Sequence, residues 1–361
     1  MPRLRRVDCA APGIRRVRRG RGFSYEWADG RKVTEADVLE RIAGLVLPPA
    51  WSDVWICAHP RGHIQAIGTD AAGRRQYRYH DEWRVQRDAE KHERVLTFAR
   101  RLPAARAQVS AHLAQRGLTR QRVLAAAFRL LDLGFFRVGG EGYAEANGTY
   151  GLATMRREHV TVTGGFVVFD YIAKSGKQRV QGFVDDDVRK VVTALLKRND
   201  ASRELLAYRD RTGWHDVTSA DINAYLKEVI GEEVSAKDFR TWHATVLTAV
   251  GLAVSTRAPT SATGRKRAVT RVVKEVADYL GNTPAVCRSS YIDPRILDLY
   301  DDGTTIVGSL DRLGADADLG QPATHGQVEA AVLRLLRQPA KASSRRLSTP
   351  RPKIAQARRA A

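Results

Sequence analysis

Three segments of the 361-residue chain place polar side chains where packing alone has no need of them. In Gly134-Phe-Phe-Arg137-Val-Gly139-Gly140 an arginine follows a strongly apolar run and stands among glycines. In Tyr171-Ile-Ala-Lys174-Ser-Gly-Lys177 a lysine occupies the expected tip of a hairpin, able to reach into a groove. In Lys237-Asp-Phe-Arg240-Thr-Trp-His243 a second arginine lies near a helix start, and Gly281-Asn282-Thr-Pro284 leads on to Tyr291. Arginine, lysine and tyrosine are side chains that hold phosphate, move a proton and act as a nucleophile. Each segment also has an ordinary structural reading. Arg137 suits the negative end of a helix dipole, Lys174 a charged turn, and Tyr291 the edge of a core.

Other chemistries find little support. The nine histidines contain no HExxH-type pair. His59 and His63 have the i, i+4 spacing, but Pro60 and Gly62 between them argue against a helical metal site. No GxxxxGK[ST] loop is present for a nucleotide. The three cysteines, Cys9, Cys57 and Cys287, lack metal-type spacing and suit a reducing compartment without disulfides.

A net charge of +20 points to a polyanion as partner. Residues 1–22 hold eight arginines against Asp8, and residues 339–361 hold seven basic residues and no acid, so the ends carry most of that excess. Charge alone therefore specifies non-specific nucleic-acid affinity or solubility, and no more. No apolar run approaches a membrane span, and the basic N-terminus lacks the apolar segment of a secretory signal. A cytoplasmic, nucleoid-associated monomer is expected.

The elements that must position the polar residues can be read in outline. Phe23 to Trp27 alternates before Asp29-Gly30, and Val54–Ala58 and His63–Ile67 flank Pro60-Arg61-Gly62, so residues 23–87 predict a small β-rich domain. Thr34 to Leu47 supplies one helix within it, ending before Pro48-Pro49. A charged stretch from Asp81 to Arg94 leads into a mainly helical domain over 88–320. There Gln121–Phe136 predicts a buried helix, and segments 158–162, 166–172 and 178–184 a three-stranded antiparallel sheet. Lys237–Val254 and Arg265–Leu280 predict helices joined by a flexible linker from Ala258 to Gly264. A basic arm over 1–22, a short helix within 321–338 and a disordered basic tail over 339–361 complete the chain.

Taken in order, Arg137, Lys174, Arg240 and Tyr291 strongly resemble the catalytic set of the type IB DNA topoisomerases, of the compact poxvirus-like kind found in bacteria. The resemblance covers roughly residues 20–300. It includes Trp55-Ile-Cys57, Gly73-Arg-Arg-Gln76-Tyr77-Arg-Tyr79, Thr149-Tyr-Gly-Leu-Ala-Thr154, Lys237-Asp-Phe-Arg240-Thr-Trp242 and Leu280-Gly-Asn-Thr-Pro284. It implies an α+β fold, a two-lobed clamp with a small β-rich N-terminal lobe and a larger helical catalytic lobe. It also implies relaxation of supercoiled duplex DNA through a 3′-phosphotyrosyl intermediate, without metal, ATP or cofactor.

In that scheme Tyr291 is the nucleophile, Arg137 and Arg240 hold the non-bridging oxygens, and Lys174 protonates the departing 5′ oxygen. Asn282 stands where many members carry histidine, and can donate one uncharged hydrogen bond there. Arg74, Gln76, Tyr77 and Tyr79 in the small lobe, and Tyr143 in the large one, are the expected DNA contacts. Tyr300 is the next tyrosine to consider as nucleophile. A tyrosine recombinase is the nearest alternative, but it usually has histidine at the position of Lys237. A non-catalytic DNA-binding protein is the other.

Overall fold

The computed structural model describes residues 3–256, 261–313 and 325–338, and the chain divides into two units after Glu93. The first contains β1 (Ile14–Arg19), β2 (Gly22–Glu26), α1 (Ala36–Gly44), β3 (Ser52–Ile56), β4 (Ile64–Thr69) and β5 (Arg75–Tyr79). The five strands form one antiparallel sheet in the order β2-β1-β3-β4-β5. Ile14, Val33, Ile42, Val54, Ile56 and Ala66 form its buried core.

One expectation changes here. The basic arm contains β1, because fully buried Ile14 anchors a strand that pairs with both β2 and β3. Its arginines occupy mostly exposed positions beside that anchor, which is why the segment reads as a charged arm.

Helix α2 (Asp81–Leu113) spans the division, so the charged stretch from Asp81 is already helical. The second unit continues with α3 (Arg120–Gly134), α4 (Glu141–Asn147), β6 (Val160–Thr163), β7 (Phe166–Ala173), β8 (Lys177–Phe183) and α5 (Asp186–Leu196). The hairpin β9 (Ala207–Asp210) and β10 (Gly213–Asp216) precedes α6 (Ser219–Ile230), α7 (Ala236–Ser255) and α8 (Ala262–Leu280). Helices α9 (Pro284–Ser290), α10 (Pro294–Asp301), α11 (Val307–Leu313) and α12 (Gln327–Leu336) follow. β6, β7 and β8 make the expected antiparallel sheet.

Helix α7 is central. Phe239, Trp242, Val246, Ala249 and Leu252 are all buried, as are Thr241, His243, Thr245 and Thr248 on its other sides. A helix buried nearly all round needs packing partners on every face, and α3, α6, α8, α10, α11 and α12 provide them. Of the expected linker, Ala262 to Gly264 form the first turn of α8. Ser261 caps that turn by accepting from the Gly264 amide at 3.1 Å. The remainder of the linker and the basic tail over 339–361 lie outside the described residues.

Candidate active site

Helix α3 ends abruptly. Phe135 adopts φ 54°, which turns the chain out of the helix. The next residues run extended against a second segment, with Leu152 N donating to Arg137 O at 2.8 Å and Ala153 N to Val138 O at 2.7 Å. Two glycines permit this approach. A Cβ on Gly151 would lie 2.4 Å from the Gly139 Cα and 2.8 Å from the Arg137 oxygen. The Arg137 backbone is thus held by a contact with no room for a methyl group.

Arg240 lies in the first half of α7. Its backbone position is as expected, but its side chain is 3% exposed instead of lying beside the helix end. Nη1 donates to Phe135 O at 2.5 Å and Nη2 to Leu280 O at 2.7 Å. These carbonyls belong to the C-terminal ends of α3 and α8, where unsatisfied oxygens and dipole favour a cation. Nε has no hydrogen-bond partner among the described residues. The guanidinium also lies over the Tyr291 ring, 5.2 Å from its centroid.

Asn282 follows the left-handed cap Gly281, and its backbone and side chain do different things. The Asn282 amide donates to Ala277 O at 2.9 Å and closes α8. Its side-chain Oδ1 accepts from Arg137 Nη2 at 2.5 Å. Because the arginine can only donate, this bond sets the amide's orientation and directs Nδ2 elsewhere. That Nδ2 is buried and has no partner among the described residues.

Tyr291 lies at the C-terminal cap of α9, a helix begun by Thr283 and Pro284. Thr245 Oγ1 on α7 contacts the Tyr291 carbonyl at 3.4 Å and accepts from Asp293 N at 3.1 Å. One helix therefore carries both the guanidinium over the ring and the hydroxyl that holds the adjoining backbone. Burial pushes the Tyr291 phenol up, but the Arg240 charge and the nearby Arg137 donor and charge outweigh it, so the net shift is downward. Burial, with repulsion from Arg137, pushes Arg240 down to about 10. Tyr300 is 1% exposed with its hydroxyl buried, which leaves no access for a substrate.

A cleft of about 710 Å³ is lined by Arg137, Lys174, Arg179, Arg240 and Asn282. Lys174 lies at the hairpin tip, as expected, in a turn where Ser175 has φ 69°. It is exposed and makes no ion pair among the described residues. The sequence reading missed Arg179, whose half-buried positions with Gln181 and Phe183 alternate along β8 and could have revealed it. Arg179 Nη2 donates to Tyr279 O at 2.7 Å. The acids lining the cleft, Glu275 and Asp278, are exposed on α8. The arrangement can bind a doubly coordinated anion beside a phenol whose ionised form is favoured.

In the first unit, Tyr77 and Tyr79 are 46% and 36% exposed, stacked with ring centroids 6.1 Å apart. Gln76 does not share their face, since neighbouring residues of a strand point oppositely. Its Nε2 donates to Asp70 Oδ2 at 2.8 Å, and Arg74 pairs with the same carboxylate at 2.8 Å. The Arg74 bonds lead in pulling the Asp70 carboxyl down to about 2. Tyr143 lies on α4, but its side chain is outside the described residues.

The family model described as eukaryotic DNA topoisomerase I, catalytic core, matches residues 80–303. The chain belongs to the type IB DNA topoisomerases. The bacterial DNA topoisomerase IB N-terminal domain matches residues 22–70. DNA topoisomerase 1B of Acanthamoeba polyphaga mimivirus is 31% identical over 295 residues, covering 80% of this chain and 87% of its own. DNA topoisomerase 1B of Vaccinia virus (strain Copenhagen) is 23% identical over 243 residues, covering 65% and 72% respectively. Membership of this family makes the chain an isomerase acting on DNA. Among the described residues no helix is long and apolar enough to cross a membrane.

Proposed function

We infer that this topoisomerase relaxes supercoiled duplex DNA by cutting and rejoining one strand through Tyr291. The observation that carries the reading is Arg240, held by two helix ends, with its guanidinium over the Tyr291 ring and its Nε making no hydrogen bond among the described residues. Tyr291, its phenolic proton released to water, attacks phosphorus through Oη, the bond to the 5′ oxygen breaks, and that oxygen takes a proton from Lys174. The 3′-phosphotyrosine retains the bond energy, so attack by the 5′ hydroxyl reverses the step without ATP. Arg137 and Arg240 supply the positive charge that the two non-bridging oxygens need. Relaxation of both positive and negative supercoils is expected in EDTA without ATP. A strict magnesium requirement for cleavage would sink this mechanism.

Asn282 enters through the donor that its bond to Arg137 leaves free. Asn282→Ala is expected to slow single-turnover cleavage about 10–100-fold, the loss of a charge-assisted bond worth roughly 1.5–3 kcal/mol. Because the backbone amide caps α8, melting temperature should scarcely move. An unchanged cleavage rate removes the side chain from the catalytic set.

Tyr77 and Tyr79 present aromatic faces outward from β5, and we assign them to DNA contact along with Arg74, whereas Gln76 on the opposite face is left to its bond with Asp70. Tyr77→Ala should weaken duplex binding while leaving the melting temperature near wild type. The opposite pattern, lower stability with unchanged affinity, would make the pair a packing feature.

A further inference from the structure

Behind the cleft, α3 and α7 meet α12 around a second polar cluster that the phosphate chemistry does not use. Arg106 makes a two-bond fork to Asp132, both bonds 2.8 Å, and contacts Glu329 at 2.5 and 3.0 Å. Trp242 Nε1 donates to Glu329 at 2.8 Å, and Gly326 N does so at 3.1 Å. One guanidinium therefore serves two carboxylates, and with neutral histidines the group carries one negative charge in excess. Asp132, Glu329 and His243 are all buried.

Two imidazoles face that excess. His243 Nε2 lies 3.7 Å from Asp132 Oδ1, and His325 Nε2 lies 3.8 Å from the same oxygen. Both separations exceed a hydrogen bond. Neither ring nitrogen of His243, 4% exposed, makes a hydrogen bond among the described residues, and Nε2 faces the Asp132 carboxylate alone as an ion-pair neighbour. Two imidazole nitrogens turned towards one carboxylate oxygen at hydrogen-bond distance would be joined to it by protons. At these distances the gap has the size of an ion. The candidate ligand atoms lie within 4.8 Å of one another. Ligands at about 2.0–2.2 Å from a tetrahedral zinc stand roughly 3.3–3.6 Å apart, so closing the site needs only small side-chain movements.

We propose that Asp132, His243 and His325 form a binding site for a divalent transition metal of the zinc class, linking α12 to the helices that carry Arg240 and lead to Arg137. Two imidazoles and a carboxylate suit zinc over magnesium or calcium, which favour all-oxygen shells. Arg106, neutralised by Glu329, orients the carboxylate from behind. A cleft of about 720 Å³ lined by Asp132 and His325 gives an entry path and space for water as fourth ligand. His325 directly precedes Gly326, the N-cap of α12, so occupancy fixes the start of that helix.

The test uses the full chain, stripped with chelator and titrated with Zn²⁺ and, separately, Co²⁺. One equivalent should bind, with visible cobalt d–d bands and no thiolate charge-transfer band. Zinc in excess should raise the melting temperature by about 5–10 °C. His325→Ala should weaken binding at least about 100-fold, since even partners outside the ligand shell cost 10–100-fold. His325→Phe, which keeps a ring beside His243, should do the same, guarding against a folding defect in the alanine variant. Cys57→Ser and Cys287→Ser should bind as wild type does. Absence of saturable binding, a thiolate band, or equal affinity in both His325 variants overturns the site.

Discussion

Tyr291→Phe is expected to bind duplex DNA as wild type does, to form no covalent adduct and to leave supercoiled plasmid unrelaxed. The substitution removes one oxygen and keeps the ring that Arg240 overlies. Packing and the Thr245 contact to the backbone are therefore retained, and melting temperature should be near wild type. The measurement is trapping of protein on labelled DNA after denaturation. Adduct formation by the phenylalanine variant would refute Tyr291 as nucleophile. Since the phenol is shifted below its ordinary pKa of about 10, wild-type cleavage limited by its ionisation should rise with pH and level off below that value.

Arg240→Gln should lower the single-turnover cleavage rate by about 10³–10⁵-fold, the range an arginine on a transferring phosphoryl group supplies elsewhere. Glutamine can still donate to one helix-end carbonyl but brings no charge to the phosphate or to the phenol. Some stability is lost too, because Phe135 O and Leu280 O both accept from this guanidinium. The assay therefore belongs well below the variant's melting temperature, at saturating enzyme. A folded variant that cleaves within about tenfold of wild type would reduce Arg240 to a bracket between helices.

The parts of this architecture that repeat along the chain were legible in sequence. Alternation marked β7 and β8, the Ser175-Gly176 turn put Lys174 at their tip, and helical spacing marked α7 and α8. The burial of Arg240 was not legible. Periodicity assigns an arginine to the polar side of a helix, whereas its partners are carbonyls at the ends of two other helices. Asn282 presented a related difficulty, since a residue after a cap glycine reads as part of the cap. Only the fold reveals that its backbone does the capping while its side chain goes to Arg137. The hairpin β9–β10 escaped because its four-residue strands are too short to establish a period.

Three guanidinium groups around one cleft, with the neighbouring acids exposed, set the chain's function partly against its stability. Arg137, Arg179 and Arg240 repel one another in the free protein, and helix-end oxygens only partly compensate them. A variant optimised for heat resistance alone would replace one of them or add a buried acid, at the expense of the phosphate binding proposed above. On the mechanism proposed above, the phosphate entering the cleft brings the negative charge that these guanidinium groups lack. On that mechanism the chain is expected to melt at a higher temperature seated on duplex DNA than alone.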